Sequence, residues 1–289
     1  MIQIENVSKK INNKLLLNNI EFSISEGIFG LLGHNGAGKT TLMRIMATLL
    51  PATNGDIRIN GISVSRNPEK VRQFIGYLPQ HFHAHPQLTG IELLDYVAVM
   101  KGITNKKARR AEITKRLDEV NLSNKGFEKI KTYSHGMKQR LGIAQAFIGN
   151  PSVVLLDEPT VGLDPEERLR FRRLIAKESK TKSIMLSTHV ITDVEACCYD
   201  LALLNKGSLL LNGTVESINE LACGKVWEAI IPINQKKLLN EYQTLFVKEI
   251  GYELHVRLIA EEKPFQVAKA VAPTLEDGLF YVQGGALHA

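Results

Sequence analysis

The sequence predicts an α/β protein with strands and helices in alternation, followed by a smaller α/β unit. Three observations carry this reading. Gly33-His34-Asn35-Gly36-Ala37-Gly38-Lys39-Thr40 fits G-x-x-x-x-G-K-[ST] at every fixed position. Val153-Val154-Leu155-Leu156 is a short apolar run ending in Asp157-Glu158, as a buried parallel strand ends at a ligand-binding edge. Beyond position 215 the composition shifts, and two further strand-like runs appear.

The elements follow in order. Residues 2–7 alternate apolar and polar side chains, as a half-buried strand does. Residues 15–25 continue strand-like, Gly27 marks a turn, and residues 28–32 form a short buried strand that leads into the glycine loop. Residues 40–50 read as a helix stopped by Pro51 and Asn54-Gly55. A hairpin over residues 55–64 turns at Asn60-Gly61, and residues 74–78 form another strand. From 88 to about 150 the pattern is helical. Strands at 153–156 and 183–187 flank a helix over 165–179, and a hairpin around Asn205-Lys206-Gly207 and Asn212-Gly213 closes a first domain, 1–215. In the second, 216–289, residues 227–233 and 252–259 read as strands, with helices between and after them.

Size and charge set limits. The chain has 289 residues, 44% of them hydrophobic, enough for a sizeable buried core. No apolar run approaches the roughly 18–20 residues that cross a bilayer. Met1-Ile2-Gln3-Ile4-Glu5 lacks a basic stretch followed by an apolar one, so a cytoplasmic protein is expected. Cys197, Cys198 and Cys223 form no C-x-x-C pair and read as reduced thiols. The net charge of +6 gathers in part at Lys101, Lys106, Lys107, Arg109, Arg110, Lys115 and Arg116. These read as a solvated helix face relieved by Glu112 and Asp118, with attraction to an anionic membrane as the alternative. No aromatic-rich surface accompanies them, and a nucleic-acid partner is not expected.

The loop chemistry explains its residue types. Glycines let the backbone turn tightly and aim N–H groups at phosphate oxygens, and the following helix adds its positive end. Lys39 supplies a mobile cation for the β- and γ-phosphates, and the Thr40 hydroxyl can ligate Mg²⁺. Asp157 can hold the same ion, and Glu158 is placed to act as a general base toward water.

One further segment narrows the field. Tyr133-Ser134-His135-Gly136-Met137-Lys138-Gln139-Arg140-Leu141 opens a helix shortly before Leu155-Leu156-Asp157-Glu158-Pro159. This order resembles the ATP-binding cassette (ABC) ATPases, strongly over residues 1–215 and weakly beyond. The resemblance implies a P-loop NTPase core with an antiparallel β subdomain and an α-helical subdomain at about 88–150, plus the C-terminal appendage. It implies ATP and Mg²⁺ as cofactors, with Gly33, His34, Asn35, Gly36, Ala37, Gly38, Lys39, Thr40 and Thr41 around the phosphates. His189, after Ile184-Met185-Leu186-Ser187-Thr188, is similar to the switch histidine that contacts the γ-phosphate. Gln80, after Gly76-Tyr77-Leu78-Pro79, resembles the glutamine that senses Mg²⁺ and the attacking water. Thr40, Gln80 and Asp157 thus form the metal set, and Glu158, His189, Gln80 and Lys39 the catalytic set.

Partners follow from the same resemblance. Ser134 and the Gly136 backbone would address the γ-phosphate held by another subunit, and Val161-Gly162-Leu163-Asp164 would cross to it. The unit is then a head-to-tail pair, of two copies or of one with a paralogue, working on a separate integral-membrane permease at the inner face of the cell membrane. Pro273-Thr274-Leu275-Glu276-Asp277-Gly278-Leu279-Phe280 resembles a stretch near the C-terminus of drug, sodium and lantibiotic exporter ATPases, and otherwise reads as a packing helix. A soluble ABC ATPase acting on nucleic acid or ribosomes, and an importer subunit, are the alternatives. His135 and Met137 depart from the commonest signature, and both recur among type-2 exporter relatives. Ile11 stands where many relatives place an aromatic ring against adenine. His81, His83 and His85 read as lining the loop that faces the membrane partner rather than as a metal site.

Overall fold

The computed structural model describes residues 1–287. It divides into two compact units, one over Met1–Asn212 and the other beginning at Gly213.

The first unit runs β1 (Ile2–Ile11), β2 (Lys14–Ile24), β3 (Gly27–Leu32), α1 (Lys39–Met46), β4 (Asn54–Ile59), β5 (Ile62–Ser63), α2 (Pro68–Phe74) and β6 (Ile75–Leu78). It continues through α3 (Gly90–Met100), α4 (Lys106–Glu119), α5 (His135–Phe147), β7 (Val153–Asp157), α6 (Pro165–Glu178), β8 (Ser183–Thr188), α7 (Ile191–Cys197), β9 (Asp200–Asn205) and β10 (Ser208–Thr214). Two sheets result. An antiparallel one has the order β2-β1-β4-β5, and a six-stranded one has the order β10-β9-β3-β8-β7-β6. Within the second, β3, β6, β7, β8 and β9 pair in parallel, so their C-terminal ends share one edge. β7 is buried at all five positions, as expected of a strand covered on both faces. Apolar side chains of both sheets and of α1 meet in one core, including Ile4, Ile57, Leu31, Met43 and Leu155.

The helical segment resolves into α3, α4 and α5, each with an N-cap residue. Thr89 and Glu92 form a reciprocal capping box, Asn105 accepts from two amides of α4, and Ser134 accepts from Met137 N of α5. The expected helix over 40–50 stops at Met46, because Thr48 takes a left-handed backbone (φ 62°). Asn212-Gly213 lies inside β10 rather than at a turn.

The second unit contains α8 (Val215–Glu220), β11 (Val226–Pro232), β12 (Gln243–Ile250), β13 (Glu253–Ile259), β14 (Lys269–Ala270) and α9 (Leu275–Leu287). Its sheet runs β12-β13-β11-β14. The segment between the two expected strands is a 3-10 turn at Ile233–Glu241 and then β12, where a helix was expected. β12 is an outer strand with Phe246, Val247 and Ile250 all partly in solvent, so no buried face imposes the alternation that marks a strand. Asp277 is buried at the start of α9. It accepts from both Arg257 Nε and Nη2 (3.0 and 2.6 Å) and from the Thr274 amide, so the Leu275-Glu276-Asp277 stretch ties α9 to β13.

Candidate active site

β3 delivers the glycine loop to the C-terminal edge of the parallel sheet, and α1 begins directly behind it. Gly38 caps α1 at φ +108°, and a Cβ there would press on Leu17, so the turn has room only for glycine. The Lys39 side chain is buried. Its Nζ donates to the Gly33 carbonyl (2.6 Å) and the His34 carbonyl (3.4 Å), and lies 3.6 Å from Glu158 Oε1.

Asp157 ends β7 and Glu158 follows it. Asp157 is fully buried. Its Oδ1 accepts from Ser187 Oγ (2.8 Å), while Oδ2 has no partner. Burial pushes its pKa above the ordinary 3.8, opposed by the Ser187 and Thr40 hydroxyls. Nearby, Thr40 Oγ1 lies 3.5 Å from Gln80 Oε1. An orphaned carboxylate oxygen beside a hydroxyl and an amide oxygen is a donor set suited to a hard divalent cation, so Thr40, Gln80 and Asp157 fit Mg²⁺.

Glu158 adopts a left-handed backbone (φ 51°), uncommon for a non-glycine residue. Its amide donates to the Ser187 carbonyl of β8 at 2.9 Å. Its carboxylate lies between Lys39 and His189, with His189 Nδ1 2.9 Å from Oε2. His189 is half exposed, Glu158 almost entirely buried.

The loop borders a cleft of about 570 Å³. His34, Asn35, Gly36, Ala37, Gly38, Lys39, Thr40, Thr41, Gln80 and Glu158 line it, all expected: the loop glycines, Lys39, Thr40 and Glu158 from their chemistry, and His34, Asn35, Ala37, Thr41 and Gln80 by resemblance. Lys14, Leu15, Leu16 and Lys206 line it too and were not anticipated. Only the turn motif around Lys206 hinted at them: Gly207 N donates to Ala37 O (3.0 Å) and Gly207 O accepts from Asn18 N (2.7 Å), which seats that hairpin on the loop.

Ile11 does not line the cleft; it ends β1 opposite Lys14 and is partly exposed. Phe22 and Phe29 cannot substitute as a base platform, since their rings stack on each other at 5.4 Å inside the core. Ser134, Gly136 and Asp164 also lie outside this cleft. Ser134 caps α5, and Asp164 caps α6 by accepting from Glu167 N (2.9 Å). The two segments touch, because a Cβ at Gly162 (φ +78°) would overlap the His135 ring and one at Gly136 would meet Gly162 O at 2.9 Å. His81, His83 and His85 are exposed, and among the described residues no three His, Cys, Asp or Glu side chains gather in a metal-holding group.

The ABC transporter family model matches residues 17–161. An uncharacterized ABC transporter ATP-binding protein of Bacillus subtilis (strain 168), YhcH, is 31% identical over 98% of this chain and 96% of its own length. The Nod factor export ATP-binding protein I of Burkholderia orbicola (strain AU 1054) is 35% identical over 77% of this chain and 74% of its own. A dimeric structure of a post-hydrolysis state of the ATP-binding cassette MJ0796, bound to ADP and Pi, superposes with a TM-score of 0.68 at 26% identity, covering 74% of this chain and 98% of that one. Among the described residues no helix is long and apolar enough to cross a membrane. The matched segment holds the glycine loop, the signature helix and the Asp157-Glu158 pair, and the chain belongs to the ABC transporter family as its ATP-binding, ATP-hydrolysing subunit.

Proposed function

We propose that this subunit drives export through a separate membrane permease, at the inner face of the cell membrane, by closing with a second ABC subunit around ATP. The observation that carries the chemistry is the Glu158 carboxylate, held between Lys39 Nζ (3.6 Å) and His189 Nδ1 (2.9 Å) at the mouth of the loop. The loop N–H groups and Lys39 bind the β- and γ-phosphates. Glu158 takes a proton from water as its oxygen attacks the γ-phosphorus, the bond to ADP breaks, and phosphate is released. His189 touches the γ-phosphate and orients the base. Thr40, Gln80 and Asp157 would hold Mg²⁺, which when bound neutralises phosphate charge.

Two features support the assembly. Ser134, Gly136 and Asp164 lie away from their own chain's phosphate cleft, so they are available to a neighbour's nucleotide. The MJ0796 cassette was captured as a dimer with ADP and Pi. Export is supported by the Nod factor export relative.

Glu158→Gln tests the reading. Hydrolysis should fall about 10²–10⁴-fold with ATP affinity retained, and the variant should accumulate an ATP-bound pair on gel filtration. Unchanged turnover, or loss of nucleotide binding, would overturn it.

A further inference from the structure

The Glu158 backbone is held in a conformation that its own residue type disfavours, and one side chain outside the cleft holds it there. Gln139 on α5 is buried (4% exposed), and its Nε2 group donates to two successive carbonyls, Glu158 O and Pro159 O, each at 3.2 Å. An amide NH₂ carries two hydrogens, so both donors are used. On the other side of the same residue, Glu158 N is taken by Ser187 O. The peptide groups flanking Glu158 are thus anchored from β8 and from α5. A left-handed non-glycine backbone persists only where its surroundings over-determine it.

The same face of α5 touches the same segment again one turn earlier. Residues four apart lie on one helix face, and the His135 ring sits against Gly162, four residues beyond Glu158. α5 therefore grips the stretch from Glu158 to Gly162 at both ends.

We propose that Gln139 is a positioning residue for hydrolysis: by donating to the Glu158 and Pro159 carbonyls it fixes the backbone twist that points the Glu158 carboxylate at Lys39 and His189. This rests on the reading of Glu158 as general base. Gln139 itself does not line the cleft. Without the two bonds, Glu158 relaxes toward ordinary backbone angles and the carboxylate moves off the line of attack, while the phosphate loop is untouched.

The test is a double-mutant cycle on the full chain, with turnover followed by phosphate release. Gln139→Met keeps size and apolar packing but removes both donors. It should lower kcat by about 10- to 100-fold, the scale of a misplacement near 1 Å, with KM and ATP affinity changed less than about twofold. In a Glu158→Gln background the same substitution should cost nothing further, because the group it positions is already gone. Should Gln139→Met not fold, Gln139→Asn, whose shorter amide cannot reach both carbonyls, is run in its place with the same expectation. A fall in kcat that repeats in the Glu158→Gln background, a rise in KM without a kcat effect, or no effect at all overturns the proposal. A Glu158→Gln chain that turns over normally instead defeats the general-base reading, whatever Gln139 does.

Discussion

His189 Nδ1 lies 2.9 Å from Glu158 Oε2, a half-exposed ring against a buried carboxylate. The bond fixes the carboxylate's rotation and occupies Nδ1, leaving Nε2 for the phosphate contact proposed above. His189→Ala should lose an orienting partner and a phosphate contact at once. The expected fall in kcat is about 10²–10³-fold, as for removal of one transition-state donor, with ATP binding largely kept. Single-turnover phosphate release alongside ATP titration measures both.

Asp157 is an ionisable group that burial works against. Its pKa is raised above 3.8 in the folded chain, so above that pH the folded state holds its proton more tightly than the unfolded state does, and ionisation opposes folding. Asp157→Asn should then stabilise the metal-free protein at neutral pH, raising Tm by about 2–4 °C per kcal/mol relieved. It should also abolish the stabilisation that Mg²⁺ with ATP confers on the parent chain. Thermal unfolding with and without Mg²⁺–ATP gives both numbers, and chelation of Mg²⁺ should stop turnover in the parent.

Besides the loop residues, the cleft is lined by aliphatic and cationic side chains, Leu15, Leu16, Lys14 and Lys206, and by no aromatic ring among the described residues. Affinity then rests on phosphate contacts common to ATP and GTP, and discrimination between them should be weak. Ile11→Tyr places a ring at the end of β1. Base stacking contributes about 1–3 kcal/mol where it has been measured in nucleic-acid complexes, but position 11 lies outside the cleft, so the new ring should gain none of it and leave ATP affinity and hydrolysis little altered. Calorimetry with both nucleotides decides it, and a clear gain in ATP affinity would place the base against the end of β1.

A buried charge network joins α4 to α6. Arg116 Nη1 reaches Glu178 (2.7 Å) and Glu119 (2.8 Å), and Lys182 reaches the other Glu178 oxygen (2.8 Å). Burial raises the Glu178 pKa, but Lys182 and Arg116 outweigh it and hold the group below its ordinary 4.5. A depressed carboxylate stabilises the fold above its unfolded value and stops doing so as pH falls through its folded one. Glu178→Ala should cost about 1.5–3 kcal/mol at pH 7, since it removes a charged hydrogen-bond partner from two buried cations that keep only Glu119 and Asn150. The gap between variant and parent in urea unfolding should narrow as pH drops below 4.5.

The residues gathered at the loop were legible because their types are dictated by chemistry at fixed spacing: Lys39, Thr40, Asp157 and Glu158 could be named from the chain alone. The fold of the first unit was legible for a related reason, since β3, β7 and β8 are buried on both faces and read as unbroken apolar runs. Gln139 and Ser187 were not legible as site residues. Each acts through a hydrogen bond to a residue distant in sequence, and neither a glutamine in a helix nor a serine ending a strand carries a pattern of its own. β12 was missed because an outer strand wetted on both faces has no apolar period to display. The cleft wall at Leu15 and Leu16 was missed because apolar residues at a strand's start look the same whether they face a ligand or the core.

Ser134 and Asp164, which the family resemblance directs toward a neighbouring subunit, each cap a helix with a side-chain oxygen. Alanine scanning at either position would therefore confound two losses, because deleting such a cap alone destabilises by about 0.5–2 kcal/mol. Threonine at 134 and asparagine at 164 keep an acceptor for the helix while altering the group offered outward. The informative comparison at these two positions is the conservative exchange against alanine, scored for folding and turnover separately, since one side chain at each site answers to both.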